Sequence, residues 1–182
     1  ANRQTKARFY QNTQLSQWGS VSQDWASRNE VMGTTNQIIE VDTVDFTECL
    51  KIYGTPHYLK ADIVGSEMIC LKALLEFENK PDYISIRSEK VVFRKLEEEI
   101  SLFEQLGYDK FKAIQQDVTD FEVISKTADK KEFRHLFEEG SSGIFGEELP
   151  AKWKDSTQII KEYKWIFARY WLFGDYSFLP QT

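Results

Sequence analysis

The sequence predicts an α/β fold in which parallel strands alternate with helices and the last two strands form an antiparallel pair. Short β-branched or aromatic stretches recur along the chain, separated by apolar patterns of helical period that run for roughly 10 to 15 residues. This alternation favours βαβ units, whose two strands are parallel. The stretches KFKAIQQ and FEVIS, at residues 110–116 and 121–125, are predicted to be the antiparallel pair.

The N-terminal region, residues 1–36, is expected to be irregular apart from one short strand at residues 7–11. Polar and aromatic residues are mixed there without a helical period. A β-branched strand at residues 38–41 follows and belongs to an α/β core that we assign to residues 37–126.

The first half of this core carries clear signals for helix ends. Asp45 stands three residues before Glu48, which is a typical helix start, and Gly54 ends the pattern. HYLKADI, residues 57–63, predicts the next strand, and Ser66 is expected to be the N-cap of the helix after it. The apolar residues of that helix recur at helical spacing and are Met68, Leu71, Leu74 and Leu75.

The remaining elements follow the same reasoning. DYISI, residues 82–86, predicts a strand, and residues 93–106 predict a long helix that ends at Gly107. We expect residues 127–154 to form a lid-like loop, and a C-terminal helix and tail to occupy residues 155–182.

Composition limits the classes of function. Length and 41% hydrophobic residues favour a single domain over residues 1–182, and a net charge of −6 argues against binding to nucleic acid or an anionic membrane surface. Two cysteines, Cys49 and Cys70, are expected to be reduced core residues of a cytoplasmic protein. His57 and His135 lack metal-ligand spacing, so no metal site is predicted.

The best candidate site lies after the HYLKADI strand. Ligands of open α/β sheets bind at the carboxyl ends of the strands, and Asp62 stands at such an end, followed by Gly65 and Ser66. Backbone N–H groups at the start of the next helix could hold an anionic or polar group there. The alternative is that Asp62 is a cap or turn residue and that Lys60 extends from the edge of the sheet into solvent.

Several blocks together resemble the FkbM-type S-adenosylmethionine-dependent methyltransferases. GTPHYLKADIVGSE is similar to the family's P-x-x-L-K-I-D-I-E-G-A-E block, and PDYISIRSEK is similar to its P-x-Y-I-S-I-E strand. LGYDKFKAIQQ, GSSGIFGEEL and FYQNTQLSQWGSVS match further blocks in the same order along the chain.

The resemblance implies a Rossmann-like sheet with flanking helices, S-adenosylmethionine as the cofactor, and methyl transfer to a hydroxyl of a small molecule or sugar. It places Asp62 beside donor and acceptor as the candidate base and Lys60 next to it, and it assigns Asp62, Gly65 and Ser66 to the donor side. Substrate or lid residues implied by the other blocks are Trp18, Ser20, Glu89, Ser141, Ser142 and Phe145.

The chain departs from the family pattern in three respects. The family's donor-binding strands and glycine-rich turn would precede residue 1, so the chain corresponds to about the C-terminal two-thirds of such an enzyme, with a sheet edge left for a second copy or a partner chain. Val64 and Arg87 each replace a family glutamate, and Glu89 could substitute for the second. Three hypotheses therefore stand: a methyltransferase, expected to be inactive as these 182 residues alone; a related non-catalytic domain that binds a ligand or partner; or a structural or assembly protein whose exposed sheet edge pairs with another chain.

Overall fold

The structure is a computed structural model of the chain, and it describes residues 5–63, 66–88, 92–114, 122–126, 132–137, 146–149 and 151–173. These residues form a mixed α/β structure with five α-helices and three two-stranded sheets. The chain divides into two compact units, residues 1–87 and 88–182. The single domain expected from the length of the chain stays a prediction.

The first unit begins with an antiparallel ribbon of two strands. Strand β1 (Thr5–Asn12) pairs over its whole length with β2 (Asn36–Thr43). The strands predicted at residues 7–11 and 38–41 are both confirmed, and each is longer than expected. The paired backbone extends beyond the apolar residues because the ladder of hydrogen bonds continues through polar positions that the hydrophobic pattern does not mark.

A helix, α1 (Gln23–Val31), occupies part of the region that was expected to be irregular. Within this helix only Ala26 and Asn29 are buried, so the apolar period that would indicate a helix is missing. Side-chain amides hold the helix instead: Asn29 donates to the carbonyl of Trp18 (3.0 Å), and Asn36 donates to the carbonyl of Ala26 (3.0 Å). The prediction was wrong here because it depended on apolar spacing alone.

Gly19 lies directly against the ring of Phe9, which predicts a destabilising effect of a single methyl group. A Cβ at Gly19 would stand 2.5 Å from Cζ of Phe9 and 2.8 Å from Cε1. The backbone φ of Gly19 is −64°, so alanine suits the backbone and only the contact is tested. We expect Gly19→Ala to lower the free energy of unfolding by about 1 to 3 kcal/mol in urea denaturation. The same loss in a Phe9→Ala background would show that the ring is not the cause.

Helix α2 (Phe46–Tyr53) begins and ends where the sequence predicts. The Asp45 carboxylate accepts hydrogen bonds from the N–H groups of Thr47 (2.8 Å) and Glu48 (3.3 Å), which would otherwise lack partners in the first turn. At the other end Gly54 has a φ of 83°, a backbone conformation that glycine adopts without strain.

The first unit also contains the predicted βαβ arrangement. Strands β3 (Tyr58–Ala61) and β4 (Tyr83–Ile86) are parallel, and helix α3 (Glu67–Leu74) connects them. Leu71 and Leu74 of α3 are completely buried and form the centre of this core. Ser66 precedes the helix as expected, but its side chain makes no capping hydrogen bond. In the described residues the strands pair only two by two, so the wider Rossmann-like sheet stays a prediction.

The second unit is built around two helices, α4 (Phe93–Gln105) and α5 (Ser156–Phe173), which confirm both predicted helices. The ring of Phe93 meets that of Phe167 edge to face at 5.2 Å, and α4 ends before Gly107, whose φ is 97°. Apolar side chains of this unit that are buried include Leu96, Ile100, Leu102, Phe103, Leu106, Phe111 and Ile159.

The final strand pair is antiparallel but has a different member from the one predicted. Strand β5 (Glu122–Lys126) confirms the FEVIS strand, and its partner is β6 (Glu132–Leu136), which lies inside the segment expected to be a lid-like loop. In the described part of the stretch at 110–116, Phe111 forms an isolated β-bridge with Lys154, in which the two backbone N to O distances are 2.8 and 2.9 Å. Phe111 is buried against Phe103 and does not continue a strand. Strand β6 was missed because the charged residues of EFRHL interrupt the apolar alternation that indicates a strand.

Candidate functional site

Two charged residues that directly follow parallel strands meet at the carboxyl end of the β3–β4 sheet. Asp62 follows β3 and Arg87 follows β4, and the register pairs Ala61 with Ile86 just before them. Oδ1 of Asp62 lies 3.3 Å from Nε of Arg87, and Oδ2 lies 3.4 Å from Nζ of Lys60. We call Lys60, Asp62 and Arg87 the strand-end cluster.

The strand-end cluster is partly withdrawn from water and carries one more positive than negative charge. The exposed fractions of the side chains are 28% for Lys60, 33% for Asp62 and 22% for Arg87. Ion pairs at this level of exposure typically contribute about 0.2 to 1 kcal/mol each. The cluster therefore adds little to stability.

The strand-end cluster continues a polar face along the two strands. Because side chains alternate along a strand, every second residue faces the same side. The hydroxyls of Tyr58 and Ser85 lie 2.6 Å apart on this face, and the ring of Tyr83 contacts that of His57 edge to face at 5.4 Å. The opposite face is apolar and consists of Leu59, Ala61, Ile84 and Ile86. Parallel strands are usually apolar on both faces, so the polar face is the unusual feature of this sheet.

The structure brings together two of the predicted site residues, Asp62 and Lys60, and adds Arg87, whose pairing the sequence did not predict. The signal that could have found this pair is the expected parallel register, which places the residue after one strand beside the residue after the next. Ser66 is half-buried at the start of α3. Gly65 lies outside the described residues, as does Val64.

A buried acid at the start of α3 was also missed. Glu67, in the first turn of α3, is only 6% exposed. Burial raises the pKa of the Cys70 thiol three residues further along, and the charge of Glu67 raises it further. A raised pKa leaves less of the nucleophilic thiolate at neutral pH, so Cys70 is not an activated nucleophile. Both Cys70 and Cys49 are free and half-buried, not fully in the core as expected.

Trp18 and Ser20, assigned to the acceptor by resemblance, have structural partners in the first unit. Ser20 is 2% exposed, its Oγ accepts the N–H of Ser22 (3.0 Å), and its backbone bridges Tyr10. The carbonyl of Trp18 accepts the amide of Asn29. These contacts hold the loop against β1 and α1, and contact with an acceptor stays a prediction.

Lys112 contacts described residues of the predicted lid that lie between positions 146 and 153. Nζ of Lys112 donates to the carbonyls of Gly146 and Leu149, both at 3.0 Å, and lies 4.2 Å from the centre of the Trp153 ring. Trp153 in turn donates from Nε1 to Glu147 (2.9 Å). The predicted lid and substrate residues Glu89, Ser141, Ser142 and Phe145 lie outside the described residues.

The described ranges also bear on metal binding and on membrane insertion. No group of three or more His, Cys, Asp or Glu side chains there could hold a metal ion. None of the described helices combines the length and the apolar character that a membrane-spanning segment needs.

Comparison of the chain with protein-family models, with curated proteins and with solved structures returned no match.

Proposed function

We propose that the chain carries the acceptor side of an S-adenosylmethionine-dependent methyltransferase site, within a Rossmann-like fold, and that the methyl group goes to a hydroxyl of a small molecule or sugar. The resemblance to the FkbM-type enzymes supplies the reaction. The observation that carries the proposal is the pairing of Asp62 with Arg87 and Lys60 at the carboxyl ends of two parallel strands. This edge of an open α/β sheet is where ligands bind.

The residues at this edge suit the proposed donor. The N–H groups of the first turn of α3, after Ser66, suit hydroxyl oxygens of the donor. When bound, the donor supplies an electrophilic methyl group. Asp62 and the start of α3 would hold it, while the polar face of β3 and β4 would orient the acceptor.

The chain's own part in the reaction is positioning and proton transfer. The acceptor oxygen has to be aligned with the methyl carbon, and its proton has to leave as the new C–O bond forms and the C–S bond breaks. The Asp62 carboxylate accepts that proton in this proposal. Lys60 and Arg87 fix the carboxylate in place, because each lies near a different oxygen.

One observation favours a second candidate, a non-catalytic methyltransferase-like domain that binds a ligand or partner. Each carboxylate oxygen of Asp62 faces a cation, at 3.3 Å from Arg87 and at 3.4 Å from Lys60. Both oxygens are engaged in ion pairs, so the side chain has a structural role that needs no methyl transfer. In this reading the same edge binds its ligand without transferring a methyl group.

The proposal is tested by titration calorimetry of S-adenosylmethionine into the 182-residue chain. Mass spectrometry then identifies methylated products from a panel of sugars and hydroxylated small molecules. We expect the 182-residue chain to bind the donor but, without the family's donor-binding strands, to form no methylated product. In a chain extended by those strands we expect turnover, and we expect Asp62→Asn to lower it at least about tenfold with the fold retained. Asp82→Asn is the matched control, because the Asp82 side chain is 71% exposed and directly precedes the first residue of β4, at the end of the strand opposite to Arg87.

The outcomes separate the two candidates. Donor binding without any methylated product in the extended chain supports the non-catalytic domain. Absence of donor binding contradicts a donor site in this chain, and full turnover by Asp62→Asn removes Asp62 from the mechanism.

A further inference from the structure

We propose that the strand-end cluster binds an oxyanion carried by the acceptor, a carboxylate or a phosphate group, so that the acceptor is an acidic hydroxylated molecule such as a sugar acid or sugar phosphate. This inference rests on the proposed function, since it names the class of acceptor for the same site. Three observations support it: the charge of Arg87, its hydrogen-bond donors, and the hydroxyls on the adjacent polar face.

The charge of Arg87 opposes that of the chain. Its guanidinium places a positive charge at the strand ends of a protein whose net charge is −6. The side chain of Arg87 is the most withdrawn of the three, with 22% of its surface exposed. An excess charge that is partly removed from water attracts an opposite charge more strongly than a fully solvated one does.

Arg87 has more hydrogen-bond donors than Asp62 can use. A guanidinium has five N–H donors in a planar fork that matches a carboxylate or phosphate in a two-point contact. In the part of the chain that the structure describes, Asp62 is the acidic partner of Arg87, and its closest contact is 3.3 Å, through Nε. The terminal nitrogens of the fork therefore suit a second oxyanion, for which arginine is a better partner than lysine.

The rest of the polar face suits a hydroxylated body attached to that oxyanion. The hydroxyls of Tyr58 and Ser85 form a pair on the face that also carries Lys60 and Arg87. Tyr58 stands two residues before Lys60, and Ser85 stands two residues before Arg87. Such hydroxyls both donate and accept hydrogen bonds, as sugar hydroxyls do. An acceptor with its acidic group at Arg87 and Lys60 would thus place hydroxyls near Asp62 and along the strands.

Nuclear magnetic resonance titration of the 182-residue chain with D-glucuronate, glucose 6-phosphate and neutral glucose tests this inference, with the arginine Nε–H signals as the reporter. We expect at least one of the two acidic probes to bind at least tenfold more tightly than glucose. Arg87→Gln and Lys60→Met should each weaken that binding at least fivefold, and Arg87→Lys should restore part of the loss. Arg94→Gln is the matched control because Arg94 is exposed and pairs with Glu98 on α4.

The experiment also distinguishes the source of the oxyanion. The two acidic probes separate a carboxylate from a phosphate, and the donor is then added at saturation. If S-adenosylmethionine displaces the acidic probes, the cluster binds the carboxylate of the donor and the inference is wrong. Equal affinity for glucose and both acidic probes also overturns it, as does full affinity in a folded Arg87→Gln variant. None of these readouts needs turnover, so oxyanion binding and methyl transfer are judged by separate measurements, and failure of one is distinguishable from failure of the other.

Discussion

Replacing Leu74 with alanine is expected to lower the free energy of unfolding by about 2 to 5 kcal/mol, the range typical of a fully buried leucine. Leu74 is 0% exposed at the end of α3, so the change removes buried methyl groups and leaves a cavity in the core that supports β3 and β4. Urea denaturation followed by circular dichroism measures this loss.

The next residue along the chain is a matched control. Leu75 has the same side chain but is 46% exposed, and it ends the same helix. Leu75→Ala is expected to lower the free energy of unfolding by less than about 1 kcal/mol. Equal losses for Leu74→Ala and Leu75→Ala would show that burial at this end of α3 is not what stabilises the unit.

Replacing Tyr163 with phenylalanine is expected to lower stability near neutral pH by about 0.5 to 1.5 kcal/mol and to change how stability depends on pH. Tyr163 is 4% exposed in α5, and its hydroxyl lies 2.8 Å from Oγ of Ser88. The phenylalanine ring keeps the apolar contacts but leaves Ser88 without this hydrogen bond. Chemical denaturation at neutral pH measures the first effect.

The pH effect follows from the pKa of Tyr163. Burial raises that pKa well above its ordinary value, the hydrogen bond from Ser88 lowers it in part, and the charges of Glu99 and Glu162 raise it. The unfolded chain loses the tyrosine proton above about pH 10, while the folded chain keeps it. Tyr163 therefore contributes full stability below pH 10, and this contribution falls by about 1.4 kcal/mol per pH unit above it.

Denaturation of both forms between pH 8 and pH 11 checks the sign. The free energy of unfolding of the wild-type chain should fall more steeply than that of Tyr163→Phe above about pH 10, because only the wild type carries this proton. The other tyrosines are common to both forms and cancel in the comparison. Parallel curves would contradict a raised pKa for Tyr163.

The elements that the sequence predicted correctly carry a local signal at their ends or on one face. Asp45 and Gly54 limit α2, Gly107 follows α4, and apolar spacing marks α3 and α4. Helix α1 and strand β6 lack such signals, since amide hydrogen bonds hold the first and charged residues make up much of the second. Local chemistry decides the first group, while contacts distant in sequence decide the second.

The candidate site divides in the same way. Asp62 and Lys60 could be found from the sequence because they stand at the end of an apolar strand. The contact between Asp62 and Arg87 needs in addition the register of β3 and β4, whose pairing is not local, and the predicted strands were not aligned residue by residue. The structure shows that Arg87 is an ion-pair partner of Asp62.

The two faces of the β3–β4 sheet differ in what they contribute to the structure. The apolar face, with Ala61 and Ile86, belongs to the buried core, and the alignment of the strands depends on that face. The polar face can exchange its side chains while the alignment stays the same. A substitution at residue 87 can therefore change the charge at the strand ends without a new fold.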